Sequence, residues 1–197
     1  DVKDNFEGAM NIMESKKDEL VDMYEQKKFA HDIKKQMKNG NFYLVIAVLI
    51  MALLFYSSSQ TYGQQSQVSR IEEWFPNHPF KQVFDNIRFT YGDGVVSVDH
   101  LGYGKFVEFF LRKGAHFGSY FILGGSLFLG AFPKMKIWWL TSVLAWLSAT
   151  GYAGLDEFHQ MLTGDRTPSF QDVMLDSMGA LTAIVLCLIV GFVRKKF

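Results

Sequence analysis

Charged and uncharged positions are distributed very unevenly along this chain. Four stretches contain no Asp, Glu, Lys or Arg: residues 42–58, 114–133, 137–155 and 177–193. A helix needs about 17–25 mainly apolar residues to cross a bilayer, and lipid offers the backbone no hydrogen-bond partners, so each stretch should be helical. A soluble protein with buried core helices is the alternative, but four such stretches in 197 residues disfavour it. The pattern therefore predicts an all-α fold, a four-helix transmembrane bundle.

Basic residues mark one side of the predicted membrane. They precede the first stretch, lie in the short link between the second and third, and follow the fourth: Lys27, Lys28, Lys34, Lys35 and Lys38; Lys134 and Lys136; Arg194, Lys195 and Lys196. If the helices alternate in direction, all three groups lie on one side, and the positive-inside rule makes that side the cytoplasm. We therefore expect a multi-pass protein of the cell membrane with cytoplasmic N- and C-termini.

The same pattern divides the chain into two parts. Residues 1–40 mix acids and lysines with apolar residues at rough helical spacing, which predicts a cytoplasmic helical extension. Residues 41–197 form the predicted transmembrane domain. Within it, the long polar segment 59–105 falls on the outer side and is expected to cover the membrane face as an extracytoplasmic cap.

The cap carries a signal for β structure. Phe89 and Tyr91 alternate with polar residues, Gly-Asp-Gly follows at 92–94, and Val96 and Val98 then alternate in the same way. Alternation on both sides of a glycine-rich turn predicts a small β-hairpin.

Composition excludes two classes of function. Lys and Arg number 20, as do Asp and Glu, so the formal net charge is zero, which argues against a nucleic-acid partner. The single cysteine, Cys187, rules out an intramolecular disulfide framework and a cysteine-rich zinc site.

Ionisable and polar residues cluster at the predicted outer ends of the second, third and fourth stretches. They are Lys113, His116 and Tyr120; Asp156, Glu157, His159 and Gln160; Arg166; and Asp172 and Asp176. Charged groups near a bilayer face the protein interior or water and pair with one another. These residues are therefore expected to meet in one pocket, although an ion-paired network that merely holds the helix ends together is the alternative.

The residue types suggest roles within that pocket. His116, His159 and Glu157 are candidates for general acid–base work, and the others are candidate ligand-binding groups, with Arg166 as an anchor for phosphate or carboxylate. Asp156 and His159 are spaced as in helix-bundle metal sites, but this is a single copy without an HExxH motif, so neither a metal nor another cofactor is predicted. Gly124, Gly125, Gly151 and Gly154 are expected at close helix contacts.

The chain resembles the VanZ-like family in a set of motifs: Arg112-Lys113-x-x-His116-Phe117-x-x-Tyr120, Asp156-Glu157-Phe158-His159-Gln160, Arg166, Asp172 and Asp176-Ser177-x-Gly179. The resemblance covers roughly residues 42–197. It implies a four-helix bacterial membrane protein with an accessory role in resistance to teicoplanin, a glycopeptide that carries a fatty acyl chain. The implied partners are the lipid bilayer and a lipid-bearing glycopeptide, or a lipid-linked cell-wall precursor.

The residues themselves raise two other classes of function, an enzyme and a transporter. A membrane enzyme acting on a lipid headgroup or a lipid-linked cell-wall precursor would use His116, His159 and Glu157. An ion-coupled transporter is disfavoured, because no inverted repeat is visible and the polar groups stop at one side of the predicted membrane.

Overall fold

The computed structural model describes residues 13–14, 16–17, 19–21, 23–25, 27–28, 35, 38–92, 94–163 and 168–194. The described residues before Gly40 are helical, but most of the predicted extension over residues 1–40 lies outside the described part of the chain. Arg166 lies outside it as well.

The elements follow one another in an order dominated by four long helices. They are α1 (Asn41–Ser58), α2 (Tyr62–Gln65), α3 (Val68–Trp74), α4 (Lys81–Phe84), β1 (Phe89–Tyr91), β2 (Gly94–Val96), α5 (Val98–Leu101), α6 (Tyr103–Met135), α7 (Trp138–Leu162) and α8 (Phe170–Val193). The part of the chain that the structure describes is thus mostly helical, with one small antiparallel sheet.

Three of the long helices, α1, α6 and α8, are long and apolar enough to cross a membrane. Helix α7 has 25 residues and packs against the other three, and that it also crosses a membrane stays a prediction. Helix α6 begins at Tyr103, well before the uncharged stretch it contains, because its first turns pack against the cap rather than lipid.

The four long helices alternate in direction. At one end, the Ser58 backbone carbonyl accepts a hydrogen bond from Thr163 just after α7. At the other end, Lys134 donates to the Asn41 side chain, and Trp138 at the start of α7 packs on Phe192 near the end of α8. We call the end where α1 and α7 terminate and α8 begins the polar end.

Glycine and alanine allow α6 and α8 to pack closely. A Cβ atom on Gly124 would lie 2.6 Å from the Cα atom of Ala180, and one on Gly179 would lie 2.5 Å from the carbonyl oxygen of Phe117. Small residues at such positions let helix backbones approach one another. Gly151 and Gly154, also expected at close contacts, have open space where a side chain would extend, so that part of the prediction is wrong.

The cap contains the predicted hairpin. Strand β1 pairs with β2 so that Phe89 faces Val96 and Tyr91 faces Gly94. Val98, expected to continue the alternation, instead opens α5, because the side chain of Ser97 accepts a hydrogen bond from the backbone N–H of His100 and caps that helix. Val96 and Val98 pack with Phe106 of α6, which joins the cap to the long helices.

Adding a methyl group at the contact between α6 and α8 should weaken the fold. We expect Gly124→Ala to lower the free energy of unfolding by about 1–3 kcal/mol, because the packed backbone of Ala180 must move. Gly118→Ala, on the same helix but with nothing nearby, should be neutral or stabilising by up to about 1 kcal/mol, since alanine is the better helix former. Unfolding of the purified protein in detergent, followed by circular dichroism, measures both. Equal effects of the two substitutions would show that the contact does not matter.

Candidate functional site

Three helices bring a histidine and two aspartates together at the polar end. His116 comes from α6, Asp156 from α7 and Asp176 from α8, and one ligand atom of each lies within 4.8 Å of the others. Both aspartates are buried and His116 is half-buried. We call these three residues the inner cluster.

Hydrogen-bond donors hold the Asp156 carboxylate in place. Gln160, one turn later on α7, donates from Nε2 to Oδ2 over 3.0 Å. The hydroxyl of Ser58, the last residue of α1, donates to Oδ1. All four long helices therefore contribute to the surroundings of the inner cluster.

Two buried polar atoms next to Asp156 lack a hydrogen-bond partner among the residues that the structure describes. One is Oδ1 of Asp176, whose other oxygen lies 3.4 Å from Nδ1 of His116. The other is the hydroxyl of Tyr120, a side chain with no solvent exposure. Asp156 and Asp176 both lie near this hydroxyl. Such atoms are rare in proteins, because an unmade buried hydrogen bond costs about 1–3 kcal/mol.

A second layer of charge lies nearer the cap. Lys113 on α6 forms an ion pair with Asp172 in the first turn of α8, and Asp172 also accepts a hydrogen bond of 2.6 Å from the hydroxyl of Tyr91 in the hairpin. The Lys113 ammonium lies 4.8 Å from the centre of the Tyr91 ring. Burial, and then the hydrogen bond to Asp172, raise the pKa of the Tyr91 phenol, which therefore remains a proton donor. We call Tyr91, Lys113 and Asp172 the outer layer.

Glu157 connects α7 to the start of α8. Its Oε2 accepts a hydrogen bond of 3.0 Å from the backbone N–H of Ser169, the residue that precedes the first turn of α8. A carboxylate at a helix N-terminus is stabilised by the unpaired N–H groups and the helix dipole. This contact fixes Asp172 and Asp176 relative to α7.

Two cavities of very different size adjoin these layers. The inner cavity has a volume of about 10 Å³, room for one water molecule or ion, and is lined by Arg112, Lys113, His116, Glu157, Gln160, Asp172, Leu175 and Asp176. The outer cavity has a volume of about 400 Å³ and is lined by Tyr91, Gly92, Phe109, Arg112, Lys113, Pro168, Ser169, Gln171 and Asp172. Arg112, Lys113 and Asp172 line both cavities and lie between them.

The structure places most of the candidate residues around these two layers. Lys113, His116, Glu157, Gln160, Asp172 and Asp176 line the inner cavity, and Asp156 and Tyr120 lie beside it. His159 is directed elsewhere, since its ring stacks on Phe55 of α1 with centroids 4.4 Å apart. Arg166, expected to anchor a phosphate or carboxylate, lies outside the described part of the chain.

Two residues that contact the site, Ser58 and Tyr91, were not identified from the sequence. Ser58 is the last residue of an apolar stretch, and Tyr91 belongs to a hairpin predicted only from its alternation. Neither position carries a motif, so only the packing of α1 and of the cap onto the polar end reveals them.

Comparison with known proteins gives a family assignment. A family model described as VanZ/LLP1 matches residues 42–191. That range contains the inner cluster, the outer layer and the four long helices, apart from the first residue of α1 and the last two residues of α8. No curated protein and no solved structure matches the chain.

Proposed function

We propose, starting from the fact that this chain belongs to the VanZ/LLP1 family, that it is a multi-pass bacterial cell-membrane protein that lowers susceptibility to lipid-bearing glycopeptides such as teicoplanin. The outer cavity would receive one polar group of such a molecule. The bilayer would receive its acyl chain.

The observation that carries this proposal is the outer cavity at the polar end, which is lined by charged and aromatic groups and lies at the start of α8. Its volume of about 400 Å³ is within the usual range for small-molecule sites. Lys113 and Asp172 offer charge of both signs, and Tyr91 offers an aromatic surface. Phe170, Met174 and Met178 lie four residues apart on α8 and are all exposed, so an acyl chain can lie along them.

This function requires the polar end to face the cell exterior, where a glycopeptide arrives. We propose that orientation, with both termini in the cytoplasm, because the basic residues collect at the opposite end. In a Cys187→Ser background, a membrane-impermeant maleimide should label Gln82→Cys, an exposed cap position, in intact cells. It should label Lys134→Cys, at the opposite end, only after the cells are permeabilised. The reverse pattern would exclude the orientation and with it the proposed encounter with the drug.

Deletion of the gene should lower the minimum inhibitory concentration of teicoplanin and leave that of vancomycin, the comparison glycopeptide, unchanged. Complementation with Lys113→Ala should fail to restore resistance. A charged hydrogen bond contributes about 1.5–3 kcal/mol, so its loss weakens binding about tenfold or more. Lys105→Ala is the matched control, since this exposed lysine lies two turns earlier on the same helix.

Equal expression and equal unfolding temperatures of the two lysine variants are needed for this comparison. If Lys113→Ala restores teicoplanin resistance as well as Lys105→Ala does, the outer cavity is not the drug site. If the deletion changes sensitivity to both glycopeptides or to neither, the accessory role in lipid-dependent resistance is wrong.

A membrane enzyme acting on a lipid headgroup or a lipid-linked cell-wall precursor is the second candidate. It is favoured by one observation: His116, paired with Asp176, and Glu157 line the inner cavity, which has room for one water molecule, an arrangement that suits general acid–base activation of that water. Such a base contributes about 10²–10⁴-fold in rate, so His116→Ala and Glu157→Ala should each abolish the phenotype in the same complementation assay. Retention of full resistance by both folded variants would exclude catalysis by these groups.

A further inference from the structure

We infer that His116 and Asp176, which line the inner cavity, and Asp156 beside it bind a single divalent metal ion, of the zinc or manganese kind. This site is independent of drug binding in the outer cavity. It therefore goes beyond the proposed function rather than resting on it.

The geometry of the inner cluster fits one ion. The three ligand atoms come from three different helices and lie within 4.8 Å of one another. Ligand atoms about 2.1 Å from a tetrahedral metal lie about 3.4 Å apart. Nδ1 of His116 and Oδ2 of Asp176 are separated by 3.4 Å, which exceeds the roughly 2.7–2.9 Å of a close charge-assisted hydrogen bond.

The cavity and its unpartnered atoms point independently to a ligand. A volume of about 10 Å³ admits one water molecule or ion and nothing larger. Oδ1 of Asp176 and the hydroxyl of Tyr120 are buried without a partner among the described residues. An ion bound to Asp176 satisfies the first atom, and a water molecule on that ion can accept a hydrogen bond from the second.

Charge gives a third argument. The described residues around the inner cavity include two basic groups, Arg112 and Lys113, and three carboxylates, and Asp156 beside the cavity adds a fourth. Carboxylates therefore outnumber lysine and arginine there, and a bound cation reduces this excess. Buried carboxylates without such compensation are costly, because desolvation penalises the ionised form.

The hydrogen bonds around Asp156 are those expected next to a metal ligand. Residues that donate to a ligating carboxylate fix its orientation, and their loss typically weakens metal affinity about 10–100-fold. Gln160 and Ser58 supply such donors to the two oxygens of Asp156. Neither side chain belongs to the inner cluster itself.

The donor set determines the class of ion. One imidazole nitrogen and two carboxylates, without sulfur, suit zinc or manganese. Calcium takes about 6–8 oxygen ligands, and magnesium keeps most of its water shell in an octahedron, so a small cavity with a histidine suits neither.

Metal content of the purified full chain tests the inference directly. The protein in detergent is stripped with a chelator, exposed separately to Zn²⁺, Mn²⁺, Ca²⁺ and Mg²⁺, freed of excess ion and analysed by mass spectrometry. We expect one Zn²⁺ or Mn²⁺ per chain in the wild type, little Ca²⁺ or Mg²⁺, and a nearly complete loss in Asp176→Asn. Asp99→Asn, the same chemical change at an exposed cap residue, should bind like the wild type.

Thermal unfolding separates loss of the site from loss of the fold. The unfolding temperature of the wild type and of Asp99→Asn should rise with the ion, and that of a folded Asp176→Asn should not. Ser58→Ala should retain the ion with an affinity about 10–100-fold lower. Arg166→Gln should still bind, because the inference assigns neutralisation of the inner cluster to the ion.

Three outcomes would overturn the inference: a wild-type chain that retains no ion, an Asp176→Asn chain that retains as much as the wild type, and a preference for Ca²⁺ or Mg²⁺. None of these three outcomes is a measurement of teicoplanin resistance. A chain that lacks metal but confers lipid-dependent resistance would leave the proposed function standing, and a chain that binds metal without affecting resistance would leave only the metal site.

Discussion

Burying carboxylates among apolar helices is the constraint on which the polar end depends. Asp156 and Asp176 are both almost fully enclosed, and a buried charge is tolerated only when opposite charge or hydrogen bonds compensate for its lost hydration. Each carboxylate has a different kind of compensation. Asp156 has one donor from its own helix and one from α1, Asp172 has a lysine and a phenol, and Asp176 has, among the described residues, a histidine at one oxygen.

Close packing of α6 and α8 makes this concentration of charge possible. Gly179 lies against the backbone of Phe117, one residue after His116, and Gly124 lies against Ala180, one turn after Asp176. With larger residues there, the two helices would stand further apart and His116 would not reach Asp176. The small residues therefore support the site by keeping α6 and α8 close together, although none of them carries a polar side chain.

The sequence predicted the long helices well because their apolar length is fixed by the bilayer, a single external dimension. It predicted the convergence of Lys113, His116, Asp172 and Asp176 because alternating helices return their ends to the same side. It could not place His159. On a helix, residues three and four positions after Asp156 point to faces about 100° apart, and the structure turns Gln160 towards Asp156 and His159 towards Phe55.

The apolar pattern of the sequence could not predict where α6 starts or what the cap contributes. A hydrophobic run shows where lipid contact begins, but not where the helix begins, and Tyr103 starts α6 because the cap buries its first turns. Ser58 and Tyr91 are single hydroxyls without periodicity or spacing that would set them apart. Their importance arises from tertiary contacts, which a single sequence does not display.

The two cavities at the polar end differ in size and in the charged groups that line them. The outer cavity is large and has basic and acidic groups in an ion pair, so it offers charge of both signs to a polar headgroup. The inner cavity is too small for such a group, and the carboxylates that line it outnumber the basic groups, which favours a compact cation. Lys113 and Asp172 line both cavities, and the hairpin reaches them through Tyr91. The ion pair of Lys113 and Asp172 therefore forms the boundary between the two cavities, and the hairpin holds it in place from the cap side.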